Sequence, residues 1–248
     1  MYTKQYLKNC LHNIGIDPNG TLKVHISYKA IGEADGRGDT VLDALMEYMQ
    51  NGLLVLPSHT WNNVRSPNPV MDVLYTPTCV GILTELFRKR AGVVRSLHPT
   101  HSVAAYGKDA EEFVAGEEHI HTPCGHGGAY YKLWERDAQI LHIGVNFERC
   151  TFIHGMEEWD GAVGTIKDEP EDYYVITTQG QRLYQPQRRH CARLGSGTFC
   201  KLEAQATHDG ILTFGNFGDA TTRLVHAKPL RTLVANLLKN NPRYLAGY

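Results

Sequence analysis

The chain has 248 residues, 42% hydrophobic and 21% charged, enough apolar surface for a sizeable core, which excludes a disordered or fibrous protein. Lys and Arg (25) against Asp and Glu (26) leave a formal charge of −1, so no bulk basic field exists to hold a nucleic acid or an anionic membrane. No apolar run approaches the roughly 18 residues of a membrane span, and the N-terminus lacks an apolar leader, so a soluble cytoplasmic protein is expected.

Six cysteines lie far apart with no CxxC pair, which fits reduced thiols rather than a disulfide scaffold. Thirteen histidines are many for this length and point to proton chemistry or metal binding.

In chain order, Tyr6, Leu7 and Leu11 give Lys4 to Asn13 a helical period. The turn Ile16-Asp17-Pro18-Asn19-Gly20 then precedes a strand from Leu22 to Ser27. A loop with Gly32, Gly36 and Gly38 follows, and Asp39 or Thr40 is placed to cap a helix over Val41 to Gln50. With the strand Leu53 to Pro57 this makes a β-loop-α-β unit, the signature of a parallel sheet covered by helices. Ser58 to Pro77 is too broken by Pro67, Pro69 and Pro77 for a regular element and reads as a surface loop. Helices are expected over Thr78 to Ala91 and Lys108 to Ala115, with a short strand at Val93 to Ser96. A buried strand at Ile140 to Val145 leads to a helix over Phe152 to Trp159. Strands at Tyr173 to Thr178, Ile211 to Phe214 and Arg223 to His226, and a closing helix from Pro229 to Lys239, suggest an antiparallel or mixed extension. Without repeats or linkers, residues 1–248 read as a single α/β domain: a central mixed, mainly parallel sheet flanked by helices, with irregular insertions.

The glycine loop fits neither GxGxxG nor a P-loop, which disfavours dinucleotide and nucleoside triphosphate folds. It still brings a helix N-terminus to a sheet edge, with Lys29 and Arg37 as anion partners; an ordinary βα turn would look the same. His98-Pro99-Thr100-His101-Ser102 precedes the small-residue run Val103 to Gly107, a loop composition suited to gripping a ligand, and its spacing fits metal binding and hydrogen bonding equally. His119, His121, Cys124 and His126 offer zinc-type ligands without finger spacing. His154 and Glu157 stand three apart on a helix, so both project from one face. A carboxylate on one imidazole nitrogen makes the other a better general base, though such a pair is more often a solvated helix face. Seven acidic residues between Glu157 and Asp172, with only Lys167 opposing them, would attract a polycation or merely form a solvated loop. Cys150 reads as a structural thiol, and no G-x-S-x-G elbow exists.

An ordered set of blocks resembles the aminoglycoside 3-N-acetyltransferase family: Val24 to Gly32, Gly52 to Pro57, Thr76-Pro77-Thr78, Val94 to Pro99 with Ser102 to Gly107, Ile143-Gly144-Val145 through Thr151 to Glu157, and Gly215 to Gly218 with Arg223. The spacing HP..S.AA.G followed by GV.....T..H..E is the most specific part. The resemblance implies a fold distinct from the common small acetyltransferases and acylation of an amine by acetyl-CoA. It implies that Ser27, Tyr28 and Lys29 in the first βα loop, with His98, His101, Ser102 and Val103, cradle the phosphates and pantetheine arm of CoA. It implies His154 as general base toward the acceptor amine, Glu157 as its orienting partner, and direct transfer with backbone near Ser102 as a candidate oxyanion donor. Departures from the family pattern are Cys150 and Phe152 flanking Thr151, Gly128-Ala129 in place of a Ser-Pro pair, His101, and the run from His119 to His126. The expected partners are CoA and a small polyamine, with no resident metal; a homodimer is compatible with the sequence. The competing readings are an acyltransferase for a non-antibiotic amine, a zinc protein built on His119 to His126, and a CoA binder without activity.

Overall fold

The computed structural model describes residues 1–191 and 196–245. Helix α1 (Lys4–Ile14) starts at Thr3, whose side chain accepts the Tyr6 amide, and stops at Gly15 with φ 87°. Strand β1 (Thr21–Ile26) follows. Helix α2 (Arg37–Tyr48) starts earlier than expected: Thr40 Oγ1 bonds back to the Gly36 amide, so neither Asp39 nor Thr40 caps it. Strand β2 (Leu53–Pro57) has the expected bounds, and the following irregular segment holds the short strand β3 (Val70–Asp72).

The helix expected from Thr78 shrinks to α3 (Ile82–Phe87), because Gly81 at φ 121° breaks the helical backbone and the Glu85 side chain takes the Thr78 amide. Next come β4 (Val94–Arg95), β5 (Val103–Gly107), α4 (Ala110–Val114) and α5 (Ala129–Glu135). Strand β6 (Gln139–Ile143) leads to α6 (Thr151–Trp159). The last third contains β7 (Tyr174–Ile176), β8 (Arg182–Tyr184), α7 (Cys200–His208), β9 (Leu212–Phe217), β10 (Ala220–His226) and α8 (Ala227–Asn240).

The main sheet has the order β4-β5-β2-β1-β6-β10-β9, and a small one the order β3-β7-β8. The main sheet is mixed, as expected, but its parallel character is confined to β2-β1-β6; every other pairing in it is antiparallel. The cause is local. β9 and β10 form a hairpin around Gly218 at φ 61°, and the small-residue run after His101, expected as a ligand loop, is β5, which returns antiparallel between β2 and β4.

Strand alternation builds three layers. Leu22, Val24, Leu54, Leu56, Leu141 and Ile143 face a core completed by α1, α2 and α3. Leu53, Val55, Ile140 and Val225 face a second core with α4 through α8. Each such side chain, fully buried, contributes about 1.5–3 kcal/mol. Lys23, His25 and His142 alternate onto the second face, where they too are buried. His25 and His142 are register partners and stack at 5.0 Å. Lys23 Nζ has no hydrogen-bond partner and lies 5.6 Å over the Tyr130 ring, and burial drives its pKa well below the usual lysine range.

Gly144, at φ 65°, ends β6 against the turn after β1; a Cβ there would stand 2.3 Å from that of Ala30. That close approach brings the segments following β1 and β6 together over the sheet edge.

Candidate active site

The carboxyl ends of β1, β2 and β6 open onto a cavity of about 980 Å³. Ser27 to Lys29 line it after β1, His59 and Trp61 after β2, and Arg149, Thr151 and His154 after β6. The edge beyond the carboxyl ends of parallel strands is where open α/β sheets bind ligands, since loops and helix N-termini converge there.

His154 sits on the first turns of α6 with Nδ1 2.8 Å from Glu157 Oε2. The Glu157 side chain is 1% exposed and that of His154 17%. An ionised carboxylate can only accept, so Nδ1 carries the proton and Nε2 a lone pair, poised for general-base work. Phe199 packs edge-on at 4.8 Å and the His190 ring lies at 4.6 Å, which restrict the imidazole's rotation.

His154 is one of a row of imidazoles on the cavity wall. His190 neighbours His101 at 5.3 Å, and His101 neighbours His59 at 4.8 Å. His59 Nε2 is 2.6 Å from the Tyr130 hydroxyl. Burial first, and then the repulsion that neighbouring basic groups would exert on a second proton, holds His59, His101 and His190 well below the usual histidine pKa, so these three are neutral. Sequence reading did not single out His59 or His190. His59 follows the carboxyl end of a predicted parallel strand, a position that could have marked it; nothing local marks His190.

Of the expected cofactor-binding residues, Ser27, Tyr28, Lys29 and His101 line the cavity; His98, Ser102 and Val103 do not. These last three are fully buried, and their polar groups are committed elsewhere. His98 Nδ1 accepts the amides of Thr100 and His101, and Nε2 donates to the Thr122 carbonyl; burial holds its pKa at about 4. Ser102 Oγ donates to the Ser58 carbonyl at 2.6 Å and accepts from Arg95 Nε. The Val103 amide donates to Ser96 Oγ. The Ser102 hydroxyl and the Val103 amide are therefore committed inside the protein. The amides of Ser58 and Thr60 bond the carbonyls of Ser102 and Thr100, so this motif zips onto the segment after β2 and sets His59 beside His101.

Lys29, Arg149 and Arg189 bring positive charge to the cavity wall. Arg37, expected as an anion partner, does not line it. The Cys150 thiol is 1% exposed and burial pushes it up to about 12, which fits a structural thiol. Most of the acidic run is used internally: Glu157 and Glu158 are paired with His154 and His190, Asp160 with Arg231, and Glu171 with Lys167.

The run from His119 to His126 does not converge on an ion. The His119 side chain is 81% exposed, His121 Nδ1 bonds the Pro186 carbonyl, and His126 packs against Tyr131 and Trp159. Among the described residues, the group with metal-ligand geometry is Cys124 with Glu158 and His190, and it takes only the cysteine from that run.

Fold and site together define an α/β protein with a histidine–glutamate pair at the ligand edge of a three-strand parallel core. The profile of the aminoglycoside 3-N-acetyltransferase family matches residues 24–239, and the chain belongs to that family. It is similar to the SPbeta prophage-derived aminoglycoside N(3')-acetyltransferase-like protein YokD of Bacillus subtilis (strain 168), 28% identical over an alignment of 173 positions that covers 61% of this chain and 63% of that protein. The chain spans about three fifths of the length of the first curated relatives it matches, 63% and 58%. The crystal structure of aminoglycoside acetyltransferase AAC(3)-Xa shares the fold with a TM-score of 0.85 at 24% identity, covering 99% of this chain and 94% of that one. The structure of AAC-IIIb binary with CoASH does so with a TM-score of 0.83 at 22% identity, covering 96% and 97%. No helix among the described residues is long and apolar enough to cross a membrane.

Proposed function

We propose that residues 1–248 act as one acetyl-CoA-dependent N-acetyltransferase domain whose acceptor is an amine of an aminoglycoside-like polyamine. The observation that carries this reading is the His154–Glu157 pair, with its free imidazole nitrogen on a cavity at the carboxyl ends of parallel strands. Family membership supports acyl transfer, and the CoASH-bound AAC-IIIb structure supports CoA as the donor's carrier. The residues present fit that carrier: Lys29, Arg149 and Arg189 can take phosphates, and the cavity is large enough for an extended chain. Acetyl-CoA supplies an activated thioester carbonyl. Acetyl-CoA as donor puts the reaction in the cytoplasm.

His154 Nε2 takes a proton from the neutral acceptor amine as its lone pair attacks that carbonyl; the thioester C–S bond then breaks, CoA leaves as the thiol by taking the proton back from the imidazolium, and Glu157 stabilises that imidazolium while it lasts. The neutral row of His59, His101 and His190 avoids placing extra positive charge beside a cationic acceptor. Direct transfer is the simpler route here, since the cysteine beside the pair, Cys150, is buried and protonated and burial also raises the pKa of Cys79 on the cavity wall.

His154→Ala should lower kcat by about 10²- to 10⁴-fold while CoA affinity is retained, and Glu157→Gln should give a smaller loss of the same kind. Free-thiol release with an aminoglycoside panel and acetyl-CoA reads this directly. Full turnover in His154→Ala would overturn the assignment; transfer to other amines but to no aminoglycoside would overturn the acceptor class.

A further inference from the structure

Cys124, Glu158 and His190 come from three segments distant in sequence: the loop before α5, α6, and the stretch after β8. One ligand atom of each lies within 4.8 Å of the other two. The cluster is secluded, with Cys124 1% exposed and the Glu158 and His190 side chains 5% and 16%. A Cβ at Gly155 would lie 2.8 Å from the Trp159 ring and 3.3 Å from Cys124 Cβ, so this glycine lets α6 pack closely against both.

Two features suit the cluster to a ligand. Glu158 Oε1 accepts from the Cys124 amide at 3.0 Å and from His190 Nε2 at 2.7 Å; the Thr122 side chain approaches the carboxyl as a weaker partner, and Oε2 is buried without a hydrogen bond of normal geometry. An unsatisfied buried polar atom costs about 1–3 kcal/mol, more for a charged group, and calls for an explanation. The Cys124 thiol makes only a long contact, 3.7 Å, to the Thr151 carbonyl. Thiolate, imidazole and carboxylate are the donor set that zinc prefers, and three protein ligands leave a coordination position for water. The charges balance, because a thiolate and a carboxylate buried together are strongly penalised unless a divalent cation offsets both.

We propose that Cys124, Glu158 and His190 form a binding site for a zinc-class divalent cation behind the His154 imidazole. On binding, the Cys124 thiol releases its proton, and His190 coordinates through Nε2 as the Nδ1–H tautomer. The cluster lies between two cavities: His190 lines the large one, and Glu158 lines a smaller one of about 340 Å³. The ion would tie three segments together and fix His190, whose ring supports His154.

The test uses the full chain after chelator treatment, titrated with Co²⁺ and then Zn²⁺ without acetyl-CoA or acceptor, so its failure leaves the transferase reading untouched. Expected are saturation at one ion per chain, a thiolate-to-cobalt charge-transfer band in the near ultraviolet, and loss of that band when Zn²⁺ displaces Co²⁺. Cys124→Ser should abolish the band. Glu158→Gln and His190→Gln should each weaken Zn²⁺ binding by about tenfold or more, and Cys200→Ser, a distant exposed thiol, should leave it intact. Absence of saturable binding, a band that survives Cys124→Ser, or one lost in Cys200→Ser would overturn the site. If Cys124→Ser does not fold by circular dichroism, unchanged affinity in His190→Gln does so.

Discussion

Glu117 shows how burial makes one residue a pH sensor of the fold. Its carboxyl accepts from the Ala129 amide and from Ser96 Oγ, and burial raises its pKa from 4.5 to about 7 despite those bonds. Between these values the folded chain holds a proton that the unfolded chain has released, so stability falls as pH rises from about 4.5 through about 7, by about 3 kcal/mol from this group. Glu117→Gln keeps an acceptor for Ala129 and cannot ionise. Urea midpoints for this variant should therefore decline less across that window than those of the wild type; identical slopes would refute the shift. The sequence offered no hint of this, because Glu117 stands in an acidic, helix-like stretch. The His154–Glu157 pairing, by contrast, was readable from spacing, since i,i+3 contacts depend only on the helix.

At the scale of elements, the parallel unit β1–α2–β2 and the strand–helix pair β6–α6 were legible because each combines an apolar run with a nearby periodic stripe. Strand β5 was not. Its alanines and glycine carry no β-branched signal, and its strand character comes from pairing with β2 and β4. The family resemblance implies a phosphate and pantetheine cradle in the motif before it, of which His101 lines the cavity while His98 and Ser102 serve as internal hydrogen-bond hubs. The junction after β6 gives the sharpest element-level prediction. Gly144→Ala places a methyl in a positive-φ position against Ala30 and should destabilise the fold by about 2 kcal/mol or more. It should also weaken CoA binding by displacing the Tyr28–Ala30 turn. Unchanged denaturation and unchanged binding together would contradict the contact.

Across the whole molecule, the cavity joins segments that follow β1, β2 and β6 to the start of α3 and to residues 189–191. A ligand bridging them should stabilise the fold globally. CoA at about 100 times its Kd should add about 2.7 kcal/mol of stability, seen as a higher Tm, and Lys29→Ala with Arg149→Ala should diminish that gain. A Tm insensitive to CoA would count against the cavity as its site.

Local pattern alone determined the α/β class, the first parallel unit and the spacing that pairs His154 with Glu157, because helix and strand periods act over a few residues. Only the tertiary structure decided that antiparallel strands would flank a three-strand parallel core, that His59, His101 and His190 would line up beside His154, and that Cys124 would meet Glu158 and His190 rather than its histidine neighbours in sequence. Those outcomes depend on sheet register and on which buried polar groups find partners, and both are settled by contacts between residues far apart along the chain.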